Sequence, residues 1–144
     1  MNIWRISEYA SLNGRGGELY EGRWNYQGDA IVYCCEHAAL SMLEILVNAD
    51  PSLLPSSYQL LTIHVPDGVS REAATLPEGW HQDRDETRAH WRSFWQQNRA
   101  ALLRVPSVIM PHAYNWLINP KHPDHTKLEI TEARVHPLDP RFRL

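Results

Sequence analysis

Lysine is scarce in this chain of 144 residues: two lysines stand against twelve arginines, and the formal net charge is −3. An acidic chain without a basic stripe does not fit a surface that binds nucleic acid by itself. No apolar run approaches the roughly 20 residues that cross a bilayer, so membrane insertion is not expected. The excess of arginine fits either a GC-rich genome or sites for phosphate and carboxylate, which the planar guanidinium binds in a bidentate manner.

Cysteine is also rare, and the two cysteines are adjacent, at Cys34 and Cys35. Both lie on a predicted strand, so their side chains point to opposite faces and form no ordinary long-range disulfide with each other. The opening stretch "MNIWRISEYA" lacks the basic leader and apolar core of a signal peptide. These features predict a protein of the reducing cytoplasm.

The hydrophobic fraction of 43% and six tryptophans predict a compact domain, and we expect one domain over residues 1–144. Alternating β-branched and aromatic residues predict strands over 3–7, 30–36, 58–65, 102–110 and 127–135. Helical spacing predicts helices over 37–49 and 85–100. Strands outnumber helices in mixed order, which indicates an α/β or α+β domain whose sheet is not regularly doubly wound. Pro106 favours a sheet edge or a bulge, and the polar segment 66–86 fits either a lid or a surface excursion.

The first predicted helix carries a stripe of four polar residues, His37, Ser41, Glu44 and Asn48, at spacings of four, three and four. This spacing places them on one face. The stripe fits a solvated helix face, but such a face usually carries lysine or arginine and this one has neither. It therefore also fits the wall of a polar cleft.

The loop "NGRGGELYEGRWNYQG" is rich in glycine and holds Arg23 beside Trp24. Glycine lets the backbone approach a ligand closely, but neither a P-loop nor a dinucleotide-binding fingerprint is present. The "HPDH" sequence at 122–125 matches no zinc spacing, and we expect no metal. Ser107 fits a plain strand hydroxyl, because no nucleophile elbow surrounds it.

Five stretches together resemble the RES-domain toxins of bacterial type II toxin–antitoxin pairs. In chain order they are "WRI", "GRWNYQGDAIVY", "ALSMLEIL", "VPSVIM" and "NWLINPKHPD", which span residues 4–124. The resemblance implies a fold like that of ADP-ribosyltransferases, a mixed sheet split around an NAD-binding cleft with flanking helices. It also implies that NAD+ is the substrate, consumed by cleavage or by transfer of ADP-ribose. The sequence leaves open whether water, phosphate or a protein side chain accepts the ADP-ribose.

By this resemblance the catalytic residues are the arginine, aromatic, glutamate and serine of the family. In this sequence they are Arg23, Tyr33, Glu44 and Ser107. Contacts to the dinucleotide are expected from Arg5, Arg23, Asn25, Tyr33, Ser107 and Asn119. The sequence leaves open whether Arg5 serves the site or pairs with an acid, and whether Asn119 only locks a turn. Trp24 is expected to pack inward and fix the loop while the Arg23 guanidinium faces the dinucleotide.

The leading hypothesis is a toxin that degrades NAD+ by cleaving the nicotinamide–ribose bond and so arrests growth. One alternative is an ADP-ribosyltransferase that modifies a specific cellular protein; another is an inactive module that only binds an antitoxin. The implied partner is an Xre-type helix-turn-helix antitoxin that covers the active site and supplies any contact with DNA. A homodimer within a larger complex stays open.

Overall fold

The computed structural model describes residues 1–143 and builds them around a single mixed sheet. Within these residues the sheet has seven strands in the order β4-β5-β6-β2-β1-β3-β7. The strands are β1 (Asn2–Ile6), β2 (Val32–Cys35), β3 (Ser57–His64), β4 (Arg71–Ala73), β5 (Leu102–Pro106), β6 (Tyr114–Ile118) and β7 (Glu129–Pro137). Among the strands of residues 1–143, only β4 and β5 run parallel, and the other neighbours are antiparallel. The mixed α+β class expected from the sequence is confirmed.

The two halves of the sheet are joined by very little pairing. β1 pairs with β3 along its whole length, and β2 pairs with β6 along its whole length. Between β1 and β2, however, the register holds a single pair, Trp4 with Cys35. Beyond this pair the strands separate, and the Arg5 Nη1 atom donates to the Tyr33 carbonyl oxygen across the gap at 2.9 Å. The sheet is therefore split at its centre.

The described part of the chain has three α-helices beside the sheet: α1 (Arg15–Leu19), α2 (Ala38–Asn48) and α3 (Arg84–Gln97). α2 packs on β1 and β2, next to the split. α3 buries Trp91 and Phe94 against Leu103 of β5 and Leu117 of β6. Trp24 belongs to the same cluster. The opposite face of the sheet has its own core, which contains Ile3, Val32, Leu61, Ile63, Leu102 and Ile118. Apolar residues that alternate along the strands thus supply two cores, one on each face.

The structure corrects several sequence-based boundaries. α1 lies in the loop that was expected to be irregular, and β4 lies in the segment 66–86 that was expected to be a lid or an excursion. β6 was missed because its sequence, "YNWLI", leads directly into a proline-rich turn. Pro106 is not on an outer strand; β5 lies between β4 and β6. It is tolerated because it ends β5, beyond the last residue that pairs with β4.

Candidate functional site

A cleft of about 630 Å³ opens where β1 and β2 separate. Its walls come from α2, from the loop around Arg23, from the start of α3 and from the turn after β5. Three arginines and two glutamates line it: Arg5, Arg23, Arg84, Glu21 and Glu44. Tyr33, Cys35 and Asn115 share its floor, because antiparallel pairing of Cys35 with Asn115 places them on the same face of the sheet as Tyr33.

Tyr33 is held at its hydroxyl by the glycine-rich loop. The hydroxyl donates to Asn25 Oδ1 at 2.5 Å and accepts from the Trp24 backbone N–H at 3.1 Å. Burial, the largest influence, raises the pKa of Tyr33 to about 12. The phenol is therefore neutral at physiological pH, and its ring has a fixed position in the cleft.

Gly22 explains why the loop needs glycine at this point. A Cβ atom built there would lie 2.6 Å from the Tyr33 hydroxyl oxygen and 2.9 Å from Asn25 Oδ1. A Cβ atom built on Gly17 would likewise lie 2.6 Å from the carbonyl oxygen of Asp29. These glycines allow the loop to pack on its own neighbours, which is a different use from the close approach to a ligand that the sequence suggested.

Asn25 does not reach the cleft, and its expected role as a ligand contact is a misassignment. The side chain is fully buried, and its Nδ2 donates to the carbonyl oxygens of Gly17, Tyr20 and Tyr26 at 3.0–3.1 Å. Its Oδ1 accepts from Tyr33. With its oxygen and nitrogen both occupied, Asn25 supports the loop and positions the Tyr33 hydroxyl.

Arg23 lines the cleft. Trp24 packs inward and is 3% exposed, as the sequence predicted. Arg23 Nη1 donates to the His81 carbonyl oxygen at 3.1 Å. The backbone of the loop is fixed by α3, because the Thr87 hydroxyl donates to the Arg23 carbonyl and Arg88 Nε donates to the Gly22 carbonyl. Burial, followed by the nearby Arg84, lowers the pKa of the Arg23 guanidinium, while Glu44 opposes this effect. The site therefore gathers positive charge with a carboxylate within electrostatic range.

Glu44 is half-buried on α2 and lines the cleft, so the polar stripe is not merely a solvated face. Glu44 Oε1 accepts from Asn115 Nδ2 of β6 at 3.0 Å. Ser41 and Asn48 of the same stripe also line the cleft. His37 does not belong to this wall; its ring caps the N-terminus of α2 by accepting from the Ala39 N–H. Asn115 was not predicted as a site residue because no strand was expected over Tyr114–Ile118.

Ser107, an expected ligand contact, lies at the rim of the cleft. Ser107 is not part of the cleft lining, although Pro106, Val108 and Ile109 are. Its hydroxyl oxygen accepts from the backbone N–H groups of Ile109 and Met110, so it shapes the turn at the rim. This placement does not support direct contact with a ligand.

Asn119 is fully buried away from the cleft, and it does not fit a dinucleotide contact. Its Nδ2 donates to Asn98 Oδ1 at 2.9 Å, and its Oδ1 accepts from the Lys121 N–H at 3.0 Å. Asn119 therefore locks the turn after β6, which is one of the two roles that the sequence left open. His122 has a similar local role, because its Nδ1 accepts from the Asp124 N–H.

Arg5 is a cleft residue, and within residues 1–143 it forms no ion pair with an acid. Three buried polar atoms at the cleft have no hydrogen-bond partner in the described part of the chain: Arg5 Nε, Ser41 Oγ and Asn115 Oδ1. Buried polar atoms in proteins are nearly always satisfied. Atoms left unpaired in a cleft are therefore available to a ligand.

The fold is similar to that of a chain in the solved MbcT–MbcA toxin–antitoxin complex of Mycobacterium tuberculosis. The TM-score is 0.74, with 18% sequence identity, and the match covers 99% of this chain and 86% of that one. At this identity the likeness shows the fold alone.

Sequence comparison defines the family. The RES domain family matches residues 2–140. A curated relative from Pseudomonas putida, named Toxin Res, is 40% identical over 100% of this chain and 99% of its own length. A relative from Sphingobium, named Prs ADP-ribosylating toxin, is 40% identical over 98% of this chain and 96% of its own. The chain belongs to the RES-domain family, and both of these relatives are named as toxins.

Among residues 1–143 no helix has the length and apolar character needed to span a bilayer. In the same residues no group of three or more histidine, cysteine, aspartate or glutamate side chains is arranged to hold a metal ion.

Proposed function

We propose that this toxin consumes NAD+ by breaking the bond between nicotinamide and ribose. The observation that carries the proposal is the placement of Glu44: a half-buried carboxylate on the wall of a cleft that three arginines also line. A cleft of about 630 Å³ falls within the range of small-molecule sites. Its unpaired buried atoms and its guanidinium groups suit the hydroxyl, amide and phosphate groups of a dinucleotide.

Glu44 would stabilise the charge that develops during cleavage. When the C1′–N bond breaks, its electron pair goes to the pyridinium nitrogen, and nicotinamide leaves as a neutral molecule. The ribose acquires oxocarbenium character, and a fixed anion beside it lowers the barrier, as in glycoside hydrolysis. Water then adds to C1′ and loses a proton. The hydrogen bond from Asn115 Nδ2 fixes the Glu44 carboxylate before the reaction, so little reorganisation is needed.

The arginines would bind the pyrophosphate. Guanidinium groups bind phosphate oxygens through paired hydrogen bonds, and Arg23 and Arg84 lie close enough to each other to affect the pKa of Arg23. The loop carbonyls bound by Thr87 and Arg88 hold Arg23 in place. The ring of Tyr33, with its hydroxyl fixed, offers a flat surface on which the nicotinamide can stack.

A toxin of this kind needs a partner that keeps it inactive. The similar fold of MbcT–MbcA comes from a toxin–antitoxin complex, which supports an antitoxin as the partner of this chain. We propose a helix-turn-helix antitoxin of the Xre type that covers the cleft near Arg23 and carries any contact with DNA. Free toxin would then deplete NAD+ and arrest growth.

Transfer of ADP-ribose to a protein is a second candidate, and one observation favours it. A relative that is 40% identical over nearly the whole chain is named Prs ADP-ribosylating toxin. The cleavage step and the role of Glu44 are the same in both reactions. They differ only in the group that attacks C1′, which is water or phosphate when NAD+ is degraded and a protein side chain when ADP-ribose is transferred.

The test is an NAD+ assay on the purified toxin, with the products separated by chromatography. The toxin is incubated alone, with inorganic phosphate, and with a cell extract as a source of acceptor proteins. Free ADP-ribose and nicotinamide from the toxin alone would support the hydrolase, and nicotinamide release that requires phosphate would support a phosphorylase. ADP-ribose retained on one protein of the extract would favour the transferase. If no NAD+ is consumed in any mixture, the chain is a binding module and the proposal fails.

A further inference from the structure

The floor of the cleft contains two unpaired polar atoms that the proposed cleavage step does not use. Ser41 Oγ and Asn115 Oδ1 are both buried, and neither has a hydrogen-bond partner within residues 1–143. The Ser41 side chain comes from α2 and the Asn115 side chain from β6, and both line the cleft. A buried polar atom without a partner carries an energetic cost, which a ligand with the complementary atom would remove.

The orientation of the Asn115 amide is fixed by chemistry. Glu44 Oε1 can only accept a hydrogen bond, so the atom 3.0 Å from it must be the Asn115 nitrogen. The amide oxygen consequently points away from Glu44 and is the atom left unpaired. It is an acceptor, and a ligand that satisfies it must bring a donor.

Ser41 supplies the complementary group. It lies three residues before Glu44 on α2, hence on the same face of the helix. Its hydroxyl is beside the Cys35 thiol, and Cys35 is the cross-strand partner of Asn115. Burial, the main influence, raises the pKa of the Cys35 thiol to about 11, and a neutral thiol is a weak hydrogen-bond partner. Contact with this thiol is the weak interaction available to Ser41 within residues 1–143, and the O–H can turn from it to donate to a ligand.

An acceptor and a donor next to a carboxylate match one chemical group well. A neutral primary carboxamide brings an N–H for the Asn115 oxygen and a carbonyl oxygen for the Ser41 hydroxyl. A carboxylate brings no N–H and would also be repelled by Glu44. We propose that Asn115 and Ser41 form an amide subsite that binds the carboxamide of nicotinamide and excludes the nicotinic acid form of the dinucleotide. The inference rests on the proposed function, since it names the substrate feature which that site selects.

The test compares NAD+ with nicotinic acid adenine dinucleotide, which differs only at this amide. Sites built around a buried hydrogen bond discriminate strongly against analogues that lack it, so we expect wild-type kcat/KM to favour NAD+ by at least ~100-fold. In Asn115→Ala and in Ser41→Ala the preference should fall to roughly 10-fold or less. Asn2→Ala, at an exposed asparagine at the far end of β1, should keep the wild-type preference.

The ratio of the two substrates separates recognition from a merely structural effect. Loss of the Glu44 contact in Asn115→Ala lowers the rate with both substrates, whereas loss of the amide subsite changes their ratio. Ser41→Ala leaves the Glu44–Asn115 hydrogen bond untouched and covers the case in which Asn115→Ala does not fold. Ligand-observed NMR of nicotinamide and nicotinic acid gives a readout that needs no turnover.

If NAD+ is consumed but the wild type uses both dinucleotides equally, the amide subsite is wrong and the proposed function stands. An unchanged ratio in both variants has the same meaning. If no NAD+ is consumed, selective binding of nicotinamide that both variants lose still supports the subsite, and equal binding of the two ring compounds overturns it together with the proposed function.

Discussion

Replacing Gly22 by alanine tests whether the glycine-rich loop exists to hold Tyr33. The new Cβ atom would lie 2.6 Å from the Tyr33 hydroxyl oxygen, which must retreat by roughly 0.8 Å to reach an ordinary contact of 3.4 Å. At least one of its two hydrogen bonds, to Asn25 Oδ1 or from the Trp24 N–H, would then break. A buried polar group left unpaired costs about 1–3 kcal/mol.

Urea unfolding gives the change in the free energy of unfolding directly, and thermal unfolding should show a Tm lower by about 3–9 °C. Gly16→Ala is the matched control, because nothing lies within 4 Å of a Cβ at that position and Gly16 is within helix α1. That change should be neutral or stabilise by about 0.5–1 kcal/mol. If Gly22→Ala is as stable as Gly16→Ala, the loop does not hold the Tyr33 hydroxyl through its hydrogen bonds to Asn25 and Trp24.

Two further predictions concern stability. Burial raises the pKa of Tyr33 to about 12, so the folded state retains this proton at a pH where the unfolded chain loses it. The contribution of the protonated Tyr33 phenol to the free energy of unfolding is complete below pH ~10 and is lost as the pH rises to ~12. Absorbance titration near 295 nm should show a tyrosine that ionises late, and Tyr33→Phe should remove this step. Arg92→Ala should lower the free energy of unfolding by about 1–3 kcal/mol, because it leaves the buried Asp29 carboxylate without its bidentate partner.

Each of these predictions has a clear contrary result. A Tyr33→Phe titration curve that still contains the late step would assign that proton to another group. Arg99→Ala is the control for Arg92→Ala, because its ion pair with Glu72 is 40% exposed on both sides and should be worth less than about 1 kcal/mol. Equal losses in the two arginine variants, measured by urea unfolding, would mean that the Asp29 pair is no stronger than a surface pair.

Local pattern predicted much of the fold. The strands around Trp4, Tyr33 and Leu61 and both long helices have strong periodicity, and the structure has them at nearly the expected bounds. β4 was not predicted because its stability comes from pairing rather than from its own sequence, and β6 was not predicted because it leads directly into a proline-rich turn. β4 has only three residues and is paired in parallel with β5, and no local signal marks such a strand.

The sequence predicted the part of the site whose residues lie on a single element, the helix α2. The stripe on α2 placed Ser41, Glu44 and Asn48 on one wall of the cleft, as helical spacing implies. Contacts between distant segments were not predictable in this way. Asn25 carries a polar side chain next to Arg23, yet the backbone carbonyls around it turn its amide inward. Asn115 reaches Glu44 only because β6 pairs with β2.

The most direct test of the central claim is nicotinamide release from NAD+ by the wild type and by Glu44→Gln. Glutamine keeps the size of the side chain and can still pair with the Asn115 amide, but it lacks the charge that stabilises the oxocarbenium ion. We expect the variant to lose at least ~100-fold in rate, which corresponds to about 2.7 kcal/mol of transition-state stabilisation. Glu129→Gln, at an exposed position on β7, should retain full activity. Equal rates for the wild type and Glu44→Gln would contradict the account, because the carboxylate would then have no part in the chemistry.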